Sequence, residues 1–144
     1  MVAIVRSALV DFSAQQMFDL VNDIEAYPHF MVGCLAAEVL ERADDFVEAS
    51  LTLGKSGFQQ RFVTRNELYP PELMVMNFVN GPFKTFNGRW SFQALSDTAC
   101  KVCLNLEFEF SNQLLAIMAG PWFEEVSGRQ VESLCQRARE VYAS

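Results

Sequence analysis

The chain has 144 residues, 51% of them apolar and 20% charged, with a net charge of −7 and a sequence pI near 4.6. That length fits one domain, residues 1–144, with a sizeable core, and the composition excludes disorder. The acidic balance speaks against DNA and other phosphate-driven partners, which select a basic footprint, and against anionic lipid headgroups.

No stretch approaches the ~20 apolar residues of a membrane span. The opening MVAIVRSALV is short and interrupted by Arg6, so no secretion signal is expected there. A cytoplasmic protein whose four cysteines remain thiols is the matching expectation. Cys100 and Cys103 form a C-x-x-C. In a strand their odd separation puts them on opposite faces, so small packed residues explain them more simply than a metal or redox pair.

Residues 3–10 read as a strand. Ser13 then caps a helix, Gln16 completes a capping box, and Phe12 can staple onto Met17. Met17, Leu20, Val21 and Ile24 recur at i, i+3, i+4 and i+7, the spacing of one apolar helix face. Pro28 disfavours helix at Tyr27, so the chain is expected to turn there.

From about residue 34 to 110 the period is two. Val47, Ala49, Leu51 and Leu53 alternate with polar residues, and Gly54-Lys55-Ser56-Gly57 reads as a hairpin turn. Phe58 to Arg65 alternates again. Leu73 to Val79 is apolar on both faces, as in a central strand. Phe86, Gly88, Trp90 and Phe92 share one face of the next strand. Val102, Leu104, Leu106, Phe108 and Phe110 share one face of the last, with Glu107 and Glu109 opposite, the pattern of an antiparallel sheet with one wet face. Arg61 and Arg65 are expected to pair with those two glutamates across strands.

Helical spacing returns from Asn112, with a stripe of Leu115, Met118, Trp122, Val126, Val131, Leu134, Ala138 and Val141. Gly120-Pro121 is expected to kink or divide it, leaving Glu124 to Tyr142 as the second part. Strand, short helix, meander and long C-terminal helix together predict α+β, with a twisted antiparallel sheet wrapped around the last helix. A gap between them would be lined on the sheet by Phe62, Met76, Phe78, Trp90, Phe92 and Phe108. On the helix, Met118 and Trp122 would complete it. The same side chains also suit a filled core, and the residues leave both readings open.

Catalytic patterns are sparse. His29 is the lone histidine, and no triad or histidine metal site can be built from it. Glu107 and Glu109 sit at a glycosidase-like spacing of roughly 7 Å, yet a solvated face explains them. Gly54-Lys55-Ser56 resembles the end of a phosphate-binding loop, but Ala49 stands where that loop needs glycine and a strand follows instead of a helix. No catalytic residue, metal or resident cofactor is therefore expected.

The strings SALVDFSAQQMFDLVNDIEAYPHFMVGC, FVNGPFKTFNGRWSF and LEFEFSNQLL resemble the coenzyme Q-binding START-domain family, which includes the RatA ribosome-association toxins and belongs to the polyketide cyclase/START-like helix-grip superfamily. The resemblance spans nearly the whole chain. It implies a seven-stranded sheet gripping a long C-terminal helix around a hydrophobic tunnel. By that analogy Tyr27, Pro28 and Phe30 form a rim, with the Tyr27 hydroxyl offered to a headgroup; a hydrophobic plug is the alternative. The Gly81-Pro82-Phe83-Lys84 loop, with Phe83 and Lys84, faces the same mouth. The function implied first is a non-catalytic carrier or chaperone for a hydrophobic isoprenoid lipid, foremost ubiquinone, supporting respiration. Such a protein would be cytoplasmic or peripheral to the inner membrane and touch membranes transiently. A toxin binding the large ribosomal subunit is the alternative, and a cyclase or dehydratase is the third.

Overall fold

The computed structural model describes residues 1–55 and 57–143. Strand β1 (Val2–Val10) leads through helix α1 (Ala14–Asn22) and a short 3-10 helix (Ile24–His29) into six consecutive strands. These are β2 (Cys34–Arg42), β3 (Phe46–Lys55), β4 (Phe58–Tyr69), β5 (Leu73–Asn80), β6 (Phe83–Ser96) and β7 (Ala99–Phe110). Helices α2 (Gln113–Gly128) and α3 (Gln130–Tyr142) end the chain.

All neighbouring strands are antiparallel, in the order β1-β7-β6-β5-β4-β3-β2. Strands β2 to β7 form a meander, and β1 returns beside β7. The segment carrying α1 therefore crosses from one sheet edge to the other. Register slips at Cys34/Ala36, Val39/Glu41, Val63/Thr64, Phe83/Thr85 and Ala94/Ser96 mark bulges or irregularities. Bulges bend and further twist a strand, which lets the sheet wrap a helix. The doubly apolar β5 is the central strand, as its composition predicts.

The α1 start follows the capping logic. Gln16 N–H donates to Ser13 Oγ (3.1 Å), and Ser13 N–H donates to Gln16 Oε1 (2.9 Å). Helix α1 stops earlier than Pro28 suggests, at Asn22, with Asp23 outside helical geometry. The chain then does not simply turn at Tyr27; it winds on as the 3-10 helix with Pro28 inside.

The C-terminal division also moves. Pro121 lies within α2, and the break falls at Arg129. Proline removes one N–H, whose acceptor would be the carbonyl of Ile117. Ile117 and Pro121 both face solvent, where water can serve that carbonyl. The buried face of α2 is Ala119, Phe123, Val126 and Ser127, one step round from the expected stripe. In α3 it is Val131, Leu134, Cys135 and Ala138.

The core lies between the concave sheet face and the helices. Phe18, Phe92, Phe108, Met17, Met74 and Leu134 are among its fully buried side chains. On the convex face, Arg65 lies 3.6 Å from Glu48 and 3.9 Å from Glu41, and it covers the Phe46 ring. It does not reach Glu107 or Glu109, because β4 and β7 are separated by β5 and β6; Arg61 shares that strand. Lys84 instead lies 4.0 Å from Glu109.

Candidate functional site

An apolar cavity of about 100 Å³ lies between the sheet and the helices. Inward residues of β3 (Ala49, Leu51, Leu53) and β4 (Phe62, Thr64, Asn66) form one wall. Met76 of β5, Phe86 and Trp90 of β6, and Leu104 and Leu106 of β7 continue it. The opposite side comes from Tyr27, Met31 and Cys34 and from Phe123, Ser127 and Gln130. Phe62 and Phe123 also border a second void of about 10 Å³, little more than one water, whose other side includes Phe83 and Trp122.

Size limits what the larger cavity holds. Pockets for drug-sized ligands span ~300–1,000 Å³, whereas a cavity of ~150 Å³ admits benzene. At about 100 Å³ the present space is smaller than that benzene-sized cavity. A long isoprenoid tail needs more room than this cavity offers.

Polar atoms trim the lining. Asn66 is only 4% exposed; its Nδ2 donates weakly to Met74 Sδ (3.7 Å), and its Oδ1 has no hydrogen-bond partner among the described residues. Gln130 bridges elements: its Nε2 donates to the carbonyls of Val32 and Val126, 2.9 Å each. Its buried Oε1 also lacks a partner there. Leaving such an atom unsatisfied costs ~1–3 kcal/mol.

Tyr27 is 8% exposed and contributes its ring to the wall, but its hydroxyl donates to the Val21 carbonyl of α1. That corrects the expectation of a hydroxyl offered to a headgroup. Tyr27 pins the 3-10 helix to α1, and burial pushes its hydroxyl pKa up, helped by Cys34 and Asp23. Cys34 likewise is pushed up to about 11, chiefly by burial, and its thiol donates to the Ala36 carbonyl (3.5 Å). A protonated, buried thiol is a poor nucleophile.

Of the residues expected around a gap, Phe62, Met76, Trp90 and Tyr27 line the main cavity. Phe83 and Trp122 line the smaller void. Phe92 and Phe108 do not line either; both are packed in the core, Phe92 against Phe18 and Trp90, Phe108 against Phe83 and Phe123. Phe78 packs on Phe83. Met118 is 67% exposed, on the outer side of α2, because the helix is rotated from the expected stripe. Pro28 is exposed, and Phe30 lies outside the cavity, edge-on to Tyr27 and under the Arg137 guanidinium. Lys84, 72% exposed and beside Glu109, also points away.

Asn66 was legible in part: continuing Phe62 and Thr64 at period two places a polar residue on an inward position. Gln130 was not, since its role depends on the break at Arg129. Among the described residues, no three His, Cys, Asp or Glu side chains converge on a metal-sized site, and no helix is long and apolar enough to cross a membrane.

A bent antiparallel sheet closing on C-terminal helices over an apolar, amide-trimmed cavity defines a helix-grip protein of the START-like class. The chain belongs to the polyketide cyclase / dehydrase and lipid transport family, whose profile matches residues 10–135. Proteins named ribosome association toxin RatA are 45% identical in Vibrio cholerae and 42% identical in Pseudomonas aeruginosa. Each match runs over 137 residues and covers 95% of both chains. The mitochondrial coenzyme Q-binding protein COQ10 of Drosophila melanogaster is 25% identical over 138 residues, 93% of this chain and 57% of that protein. The Zhui aromatase/cyclase of a Streptomyces species superposes with a TM-score of 0.85 over 99% of this chain and 96% of its own, at 16% identity, a likeness of fold alone.

Proposed function

We propose that this protein acts on ribosome association, as the name of its relatives describes. The supporting observation is identity of 42% and 45% maintained over 95% of both chains. This moves the ribosomal reading ahead of the quinone reading, whose named relative stands at 25%. Under this reading the protein is cytoplasmic and non-catalytic. It binds the large subunit through its surface and so hinders subunit joining.

The charge of −7 shapes that contact. Contact with RNA phosphates requires a local cationic surface, and Arg65 is already paired with Glu41 and Glu48. Arg61, four residues along the same face of β4, is exposed, and Lys55 is exposed at the far end of the β3–β4 hairpin. Contacts to ribosomal proteins would then supply much of the affinity. Sedimentation of purified subunits at low salt tests the reading: a fall in the joined fraction on adding the protein supports it, and an unchanged profile overturns it.

A second reading, a carrier for a hydrophobic isoprenoid such as ubiquinone, is favoured by the apolar cavity. Neither the substituted ring nor the tail of such a ligand fits the present space of about 100 Å³, so uptake requires the cavity to widen. Mass spectrometry of an organic extract of gently purified protein tests it. Stoichiometric quinone supports it, and a clean extract with no uptake of added quinone removes it.

A further inference from the structure

We infer that the outer face of helix α2 is the surface that docks on the large ribosomal subunit, and that it docks there on a basic protein and not on RNA. This rests on the ribosomal reading above and names the face and the kind of partner which that reading needs.

Helix α2 is apolar on both sides. Ala119, Phe123 and Val126 belong to its buried face, where Phe123 packs on Phe108 and Phe110 of β7. Leu114, Ile117, Met118 and Pro121 recur on the other side at i, i+3, i+4 and i+7, the spacing of a second apolar stripe. Leu114 is 66% exposed, and Ile117 and Met118 are each 67% exposed. A surface helix ordinarily turns polar residues to water, and a helix that is apolar all round is ordinarily covered all round. The fold covers the inner stripe alone. A contiguous exposed apolar patch of this kind marks an interaction site.

Two features of the stripe specify its partner. Pro121 has no N–H for the Ile117 carbonyl, which leaves an acceptor on the exposed side among the apolar side chains. A partner that excludes water there must bring a donor. Glu124 and Glu125, both exposed, continue the face one turn further on. No Lys or Arg occurs between Lys101 and Arg129. An apolar stripe that holds a bare acceptor and ends in two acids complements apolar side chains flanked by Lys or Arg, which carry positive charge and only donate. RNA phosphates offer negative charge and acceptors, the opposite of what this face lacks. A second copy brings the same acids and the same bare carbonyl, on a chain of charge −7. Anionic bilayers are repelled for the same reason.

The test is cosedimentation of the intact protein with purified large subunits. It compares the unsubstituted chain, a triple variant with Leu114→Gln, Ile117→Gln and Met118→Gln, and a control with Val5→Thr and Leu9→Thr, whose sites on β1 are 60% and 72% exposed. Thermal melts check that both variants fold, and Met118→Gln alone replaces the triple variant if it does not. The variant of the stripe is expected to bind at least about tenfold more weakly, while the control stays within about twofold. Raising salt from about 50 to about 200 mM is expected to weaken the unsubstituted protein by less than about tenfold, where 6–10 phosphate contacts would lose ~10³–10⁵. A steep salt loss overturns the protein partner in favour of RNA. Undiminished binding by the folded stripe variant overturns the docking face and leaves the ribosomal reading standing. If that variant instead loses attachment to phosphatidylcholine vesicles, or self-association, while keeping the subunit, the face belongs to a bilayer or a second copy and the inference falls. No cosedimentation of the unsubstituted protein overturns both the inference and the reading beneath it.

Discussion

Filling the cavity separates the two functional readings, and Ala49→Leu is the substitution that does it. Ala49 is 2% exposed, lies on the cavity wall, and pairs with Val39 on one side and Thr64 on the other. Leucine adds three carbons. At ~0.8 kcal/mol per buried methylene they contribute about 2.4 kcal/mol. Fixing the new side chain costs about 0.5–1 kcal/mol, leaving a gain near 1.5 kcal/mol. For a chain of this size that raises Tm by about 4–6 °C. Thermal and urea melts measure the gain, mass spectrometry after incubation with added quinone measures occupancy, and sedimentation measures the effect on ribosomal subunits. The expected result is a more stable protein that takes up no quinone yet still lowers the joined fraction. A loss of 1–3 kcal/mol, the usual cost of overpacking, would refute the reasoning by showing that the space is not open to a side chain. Loss of the ribosomal effect in a folded, stabilised variant would instead tie that effect to cavity occupancy.

Three further outcomes are expected. Phe83 is buried with the rings of Phe62, Phe78, Phe86, Phe108, Phe110 and Phe123 at centroid distances of 5.2–6.0 Å. Phe83→Ala should therefore cost about 4 kcal/mol by urea unfolding, and a loss under 1 kcal/mol would mean this end of the core is loosely packed. Ser13→Ala should cost about 1 kcal/mol by the same measurement, since it removes the side-chain half of the α1 cap. Alkaline stability should reflect Cys34, whose pKa rises from about 9 to about 11. Below pH 9 its thiol is neutral in both folded and unfolded chains. As pH rises through that window the unfolded thiol ionises first, so stability falls, and Cys34→Ala should flatten part of the decline. An identical pH profile for the variant would remove Cys34 from the account.

Local patterns were readable where a single element decides the outcome. Ser13 and Gln16 lie three residues apart, and their mutual capping needs nothing beyond that turn. The alternation through β7 placed Val102, Leu104, Leu106 and Phe108 inward, because a strand has only two faces. Pro121 misled for a related reason: its penalty depends on where the orphaned carbonyl points, and here that side is wet. Met118 misled because helical spacing tolerates a rotation of the apolar stripe by one residue, and only packing against the sheet selects which residues go in.

The sequence by itself determined a meander of amphipathic strands between two helical segments, and its motifs carried the family. Tertiary structure decided how much space those side chains leave. It turned Phe92, Phe108 and Phe78 into packing, directed the Tyr27 hydroxyl to Val21, and separated Arg65 from Glu109 by two strands. It also brought Asn66 and Gln130, far apart in the chain, onto one cavity. Period and propensity act between near neighbours, whereas a void is the small difference between a wall's volume and the side chains that fill it, a quantity that belongs to the assembled fold.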